Sequence, residues 1–211
     1  VITYLAKELL RRRGEGRASH IFNPSAFSLS VMSLSMLILG AFHISRGVDI
    51  VETFMLPPNM LEVIFLLGLV VQLLYGTTLV TLGAVLSQCA FFASTYAVLG
   101  YPISPTPINI SVFLAITLLV TDPSTSPRSP MGKFLFGLTY GLGTYVICVT
   151  LRLTEEPSFV DKILMVPIVN LLVPAFDRLG NGYHQWLRTK ALPAKPQLWH
   201  YGIVPLYAVV F

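Results

Sequence analysis

Thr121-Asp122-Pro123-Ser124-Thr125-Ser126-Pro127-Arg128-Ser129-Pro130 separates two apolar runs, residues 108–120 before it and 131–151 after it. Its prolines exclude helix, because each removes an amide donor and drives the residue before it into extended backbone. The segment therefore reads as a polar, stiff turn at the end of a short membrane-embedded helix. Asp122 can accept hydrogen bonds from the amides that follow as an Asx turn, and Ser124 and Thr125 can do the same more weakly. On these residues alone two readings stand: a helix stop, or a functional break in the membrane.

Outward from the turn, composition sets the class. The 211 residues are 54% hydrophobic and 11% charged, where a soluble domain carries about 25% charged residues. Apolar runs near 20 residues recur, so the fold class is all-α: a polytopic integral membrane bundle of about six transmembrane helices, some of them short or broken. A single membrane domain covers residues 1–211, with a basic segment at 1–22, the six-span bundle at 23–178, and a tail at 179–211 whose residues 201–211 open a further span. The chain starts at Val1 and stops at Phe211 inside an apolar run, so both ends read as incomplete. The net charge of +4 is explained by membrane orientation below, and no nucleic-acid partner is expected. Cys89 and Cys148 lie within apolar runs and read as packing thiols, without a CxxC site.

The expected spans are 24–44, 60–75, 79–99, 108–120, 131–151 and 159–176. Asn23 suits the N-cap and Pro24 the first helical position of the first span. Gly76-Thr77-Thr78 makes a tight hairpin between the second and third. The fourth span, 13 residues long, rises about 20 Å against a hydrocarbon core of about 30 Å. Its proline-rich flanks must then lie at membrane depth under a cover of protein. Gly137 and Gly141 give the fifth span a GxxxG face for close helix approach. Pro167 and Pro174 interrupt the sixth, with Asn170 between them.

Charge sets the direction. With the N-terminus inside, Lys7, Arg11, Arg12, Arg13, Arg17, Arg128, Lys133, Arg178, Arg188, Lys190 and Lys195 face the cytoplasm, and Arg46, Arg152 and Lys162 face outward. That is 11 against 3 of the 14 basic residues, the bias the positive-inside rule requires. The basic N-terminal segment is expected to hold the cytoplasmic face of the membrane through its lipids. The same orientation puts Asn23-Pro24, Asp122-Pro123 and Asp177-Arg178 at one membrane face. Ionisable groups at a helix break near membrane depth are expensive and mark functional sites; the alternative is capping and pairing with Arg128 and Arg178. Broken helices there can bind an anion through amides or a cation through carbonyls. His20 and His43 sit at opposite ends of the first span and no other span carries a histidine, so neither haem nor an iron–sulfur cluster is expected.

Three blocks in order carry a resemblance: Arg11-Arg12-Arg13-Gly14 with His20-Ile21-Phe22-Asn23-Pro24-Ser25-Ala26; Thr121-Asp122-Pro123-x-Thr125-x-Pro127 with Gly132; and Asn170-x-x-x-Pro174-x-x-Asp177-Arg178. Together they resemble the RnfD component of the bacterial Rnf electron-transport complex and the related NqrB component of the sodium-translocating NADH:quinone reductase. The resemblance implies a multi-pass subunit of a hetero-oligomeric complex in the bacterial cytoplasmic (inner) membrane, with redox chemistry coupled to sodium or proton movement. It implies a flavin, and names Asn23, Thr121, Asp122, Ser124, Thr125, Asn170 and Asp177 as candidate cofactor-binding residues. The family's covalent flavin sits on a Ser-Gly-Ala-Thr motif that this sequence lacks; Gly76-Thr77-Thr78 and Ala93-Ser94-Thr95 are the nearest strings. The expected cofactor is therefore FMN or riboflavin held non-covalently, or a quinone. The alternatives are a non-catalytic scaffold or assembly subunit of a larger redox or photosynthetic complex, and a secondary transporter with its site at the break after the fourth span.

Overall fold

Packing in this bundle is organised by the helix after the proline turn, because glycines let two backbones meet on its surface. The computed structural model describes residues 2–13, 18–41, 44–54, 60–101, 106, 108–154 and 160–189. Its helices are α1 (Ile2–Leu9), α2 (Pro24–Ile38), α3 (Gly47–Thr53), α4 (Met60–Tyr75), α5 (Thr78–Leu99), α6 (Ile110–Leu114), α7 (Pro130–Leu153) and α8 (Asp161–Thr189). A short antiparallel ribbon pairs β1 (Arg11–Arg13) with β2 (Ala18–His20), Arg12 opposite Ser19. This ribbon is the one described departure from an all-helical chain. Three helices, α5, α7 and the Asp161–Tyr183 part of α8, are long and apolar enough to cross a membrane. The apolar helices α2, α4 and α6 with its extension are shorter.

α7 lies between α5 and α8. A Cβ on Gly137 would strike the Val80 carbonyl and come within 2.9 Å of the Ala84 amide. One on Gly141 would strike Ser87, and one on Gly83 of α5 would strike the Phe134 carbonyl. The GxxxG face thus works from both sides, and backbone contact replaces side-chain interdigitation along this seam. Around it Val80, Ala84, Ile116, Phe136, Tyr140, Val166 and Val169 form the buried core. Phe136 meets Phe176 edge-on, with ring centroids 6.0 Å apart, a favourable aromatic geometry.

Several boundaries differ from the sequence-based expectation. α2 stops at Ile38, with Leu39 as C-cap and Gly40 in left-handed backbone at φ 61°, six residues short of the expected end. α3 forms inside the loop expected after it. α6 is only five residues of α-helix and then widens into a π-helical stretch, Ala115–Val120; such segments are rare and frequently sit at functional sites. α8 is the largest correction. It runs through both Pro167 and Pro174 and on to Thr189, so Asp177 and Arg178 lie on the helix and not beyond it. Proline at 167 leaves the Ile163 carbonyl without its helical donor, and Ser30 of α2 supplies one at 2.7 Å. The helix survives its proline because a neighbouring helix satisfies the freed group. The expected further span at 201–211, Trp199, His43, His200 and the Pro57-Pro58 breaker lie outside the described residues.

Candidate functional site at the proline turn

The turn is held at both edges by side chains from helices remote in sequence. Asn23 is a working N-cap: its Oδ1 accepts from the Ser25 and Ala26 amides at 3.0 and 3.2 Å. Its Nδ2 crosses to the Leu119 carbonyl at 3.2 Å, tying the start of α2 to the last turn of the π segment. Thr121, buried, bonds back to the Thr117 carbonyl at 2.9 Å. Asp122 then closes an Asx turn. Its Oδ1 accepts from the Ser124 amide at 3.0 Å, the Ser124 hydroxyl lies 2.9 Å from both carboxylate oxygens, and Thr125 donates to Oδ2 at 3.2 Å.

The other edge belongs to Asp177 of α8. Its Oδ1 accepts from the Arg128 amide at 2.7 Å and from the Ser129 amide at 3.2 Å. Ser129 is itself the N-cap of α7, accepting from Gly132 at 3.2 Å, and Pro130 opens that helix. Gly132 and Gly180 let the two helices close over this cap, since a Cβ on either would strike the Ser129 hydroxyl. Hydrogen bonds to a charged group contribute about 1.5–3 kcal/mol each, so Asp177 is a substantial fastening of α8 to the turn. Its link to Arg128 runs through the backbone amide, where the sequence suggested the guanidinium.

Six of the seven sequence-predicted residues, Asn23, Thr121, Asp122, Ser124, Thr125 and Asp177, thus converge on one end of the bundle. Asn170 does not join them. It lies seven residues before Asp177 on α8, about 10 Å deeper at 1.5 Å per residue, and only 2% of it is exposed. Its Nδ2 has no hydrogen-bond partner. Sequence reasoning missed Ser129, although Ser129-Pro130 repeats the cap-then-proline signal of Asn23-Pro24. It also missed that the Lys133 ammonium donates to the Gly76 carbonyl at 2.7 Å, anchoring the α4–α5 hairpin beside the turn. Within α4, Gln72 is buried and accepts from Thr81 at 2.7 Å; a lone amide in an apolar run was the available signal.

Against this geometry, the family model described as NQR2, RnfD, RnfE matches residues 59–182. This chain belongs to that family. The match runs from the start of α4 well into α8, and takes in the proline turn, Asn170 and Asp177. Among curated proteins and solved structures no match is found. The NQR2, RnfD, RnfE assignment makes the chain a membrane subunit of an ion-coupled electron-transport complex. The Asn23 block lies outside the matched residues, and its connection to the turn rests on the bond to Leu119.

Proposed function

We propose that this subunit carries electrons through a flavin (FMN or riboflavin) or a quinone held by non-covalent contacts, within a hetero-oligomeric complex of the bacterial cytoplasmic membrane. The supporting observation is the Asn170 amide, 2% exposed, between two in-helix prolines and with Nδ2 unpaired. A buried donor left unsatisfied costs about 1–3 kcal/mol, and a ring carbonyl of an isoalloxazine or quinone would satisfy it. A phosphate at the start of α7 fits less well. The amides that would suit an anion there already hold Asp177. The bound group supplies the electron transfer. Asn170 would orient its carbonyl, the buried Val166 and Val169, one turn before it and next to it on α8, would limit water there, and the Asn23, Thr121, Asp122, Ser124, Thr125 and Asp177 junction fixes the end of the bundle.

Purified protein is expected to release a flavin or quinone on denaturation in solvent. Asn170→Leu, which removes the unpaired Nδ2 donor together with the amide oxygen, should stay folded and lose most of that cofactor. A wild-type preparation with neither flavin nor quinone sinks the reading, and so does an Asn170→Leu protein as fully loaded as wild type. One observation favours the scaffold alternative: the polar groups at the turn largely saturate each other, as a structural staple would. That reading expects a cofactor-free chain that co-purifies with larger membrane partners.

The orientation belongs to the same proposal, with the N-terminal basic segment and the Asp122–Pro130 turn cytoplasmic. In a background with Cys89 and Cys148 replaced by alanine, Arg128→Cys at the exposed tip of the turn should resist a membrane-impermeant thiol reagent in intact cells. Glu155→Cys should label. The reverse pattern overturns the orientation.

A further inference from the structure

At the opposite end of the bundle, α5, the start of α6, α7 and the start of α8 line a small, half-open crevice of ≈ 50 Å³. Its inner wall carries an ion pair, Lys162 Nζ to Asp161 Oδ1 at 2.7 Å, with side chains 8% and 2% exposed. Asp161 also accepts from the Lys162 amide at 2.8 Å, and Cys148 lines the same wall. Aromatic faces line one side: Phe91 and Tyr145 stack at 4.3 Å with planes 11° apart, and Phe92 lies beside them.

The remaining polar lining is mixed: Asn109, whose Oδ1 accepts from the Val112 amide at 2.9 Å, keeps its Nδ2 as a donor, and the other groups lean toward acceptors. Thr95 donates its proton to the Phe91 and Phe92 carbonyls, both at 3.0 Å. Thr144 donates to the Tyr140 carbonyl at 2.8 Å, and Gln88 Nε2 to the Gly141 carbonyl at 3.3 Å. With those protons used, Thr95 and Thr144 present acceptor oxygen to a ligand, and Gln88 presents its Oε1 beside a second amide proton. A ligand matching this lining donates hydrogen bonds at one end and accepts them at the other, and an aromatic wall favours a cation at the donating end. Charge then restricts it further. The lining carries one carboxylate and one ammonium, so a simple cation or anion would add an uncompensated charge beside a buried pair, which is costly. A zwitterion does not. Arg152, exposed and one helical turn beyond Cys148 on α7, adds positive charge at the rim for the anionic half.

We propose that this crevice seats the ethanolamine-phosphate headgroup of a membrane lipid, with the primary ammonium against Asp161, Gln88 and Thr95 and the phosphodiester toward Lys162 and Arg152. A lipid source fits the surroundings, since Tyr96, Val98 and Leu99 on the same end of α5 are exposed apolar surface along which acyl chains can lie. The inference is independent of any cofactor at Asn170.

The test is native mass spectrometry of the delipidated protein titrated with phosphatidylethanolamine, phosphatidylglycerol, phosphatidylcholine and soluble O-phosphoethanolamine. Phosphatidylethanolamine should bind at least about tenfold tighter than phosphatidylcholine, whose quaternary ammonium cannot donate; a charged hydrogen bond has that magnitude. Asp161→Asn/Lys162→Met should bring the lipids to within about twofold of one another. Thr95→Val, whose hydroxyl bonds only its own helix, keeps the fold and should weaken phosphatidylethanolamine severalfold. Equal binding of the three lipids by wild type, or a phosphatidylethanolamine preference unchanged in both variants, overturns the proposal. A preference for phosphatidylglycerol overturns the zwitterion. Displacement by O-phosphoethanolamine at the lipid's own concentration reassigns the site to a soluble headgroup compound and overturns the lipid source.

Discussion

Gly137→Leu is expected to abolish the folded bundle, and Gly182→Ala to leave it intact. At Gly137 the first added carbon already strikes the Val80 carbonyl, and the Ala84 amide stands 2.9 Å away. Both are helix backbone, which cannot rotate aside as a side chain can. Overpacking of an adaptable core costs about 1–3 kcal/mol; here α5 and α7 would have to separate along their whole seam. The Gly83 and Gly141 contacts on either side of it, and with them the core formed by Val80, Ala84, Phe136 and Tyr140, would open too. Gly182 meets nothing within 4 Å, so alanine there should be neutral or gain about 0.5–1 kcal/mol of helix propensity. Fluorescence-detected size exclusion of detergent extracts reads both. A Gly137→Leu protein with a wild-type monodisperse peak and melting temperature would falsify the backbone-contact account.

Where local chemistry decides structure, the sequence was legible. Residues 60–75 form a helix with the bounds that the apolar run suggested, and Gly76 takes the left-handed backbone that a tight hairpin needs, at φ 64°. Asn23-Pro24 forms the expected cap, and Asp122 the expected Asx turn. Misreadings arose where a group from elsewhere completes a local deficit. Pro167 looked like an interruption because a proline inside a helix leaves a carbonyl unpaired; nothing near residue 163 announces that Ser30, more than a hundred residues earlier, will supply the donor. Asp177 and Arg178 looked like residues past a helix end for the same reason. The bond from Asp177 to the Arg128 amide is a tertiary contact that no pattern encodes. For the candidate site, the convergence of Asn23, the turn and Asp177 follows from alternating spans ending at one face. The depth of Asn170 depends on α8 continuing through both prolines, so sequence grouped it with residues about two helical turns away.

Asp161 and Lys162 were the least legible pair: the sequence placed them at the outward-facing start of the sixth span, and two adjacent opposite charges there give no sign of burial. They are instead among the most buried charges described, which gives the second large expected effect. Lys162→Met should destabilise the protein by about 3–5 kcal/mol, the penalty for stranding one member of a buried ion pair. The stranded group is the Asp161 carboxylate, 2% exposed. Local helix electrostatics do not account for the lysine: a cation in the first turn opposes the helix dipole by about 0.3–1 kcal/mol, so replacing it would otherwise stabilise α8. The bond from Tyr140 to the Lys162 carbonyl at 3.2 Å uses backbone and survives the substitution. In Asp161→Asn/Lys162→Met the asparagine oxygen can still accept from the residue-162 amide and no charge is left unpaired. Replacing both charges of a buried pair is often neutral or stabilising by about 1–4 kcal/mol. The expected order of melting temperatures is therefore double variant at or above wild type, with Lys162→Met well below both. If Lys162→Met melts with wild type, the pair is solvated and the crevice is not the polar site its geometry describes. If the double variant falls as far as the single, the lysine acts through packing of its alkyl stem and not through its charge.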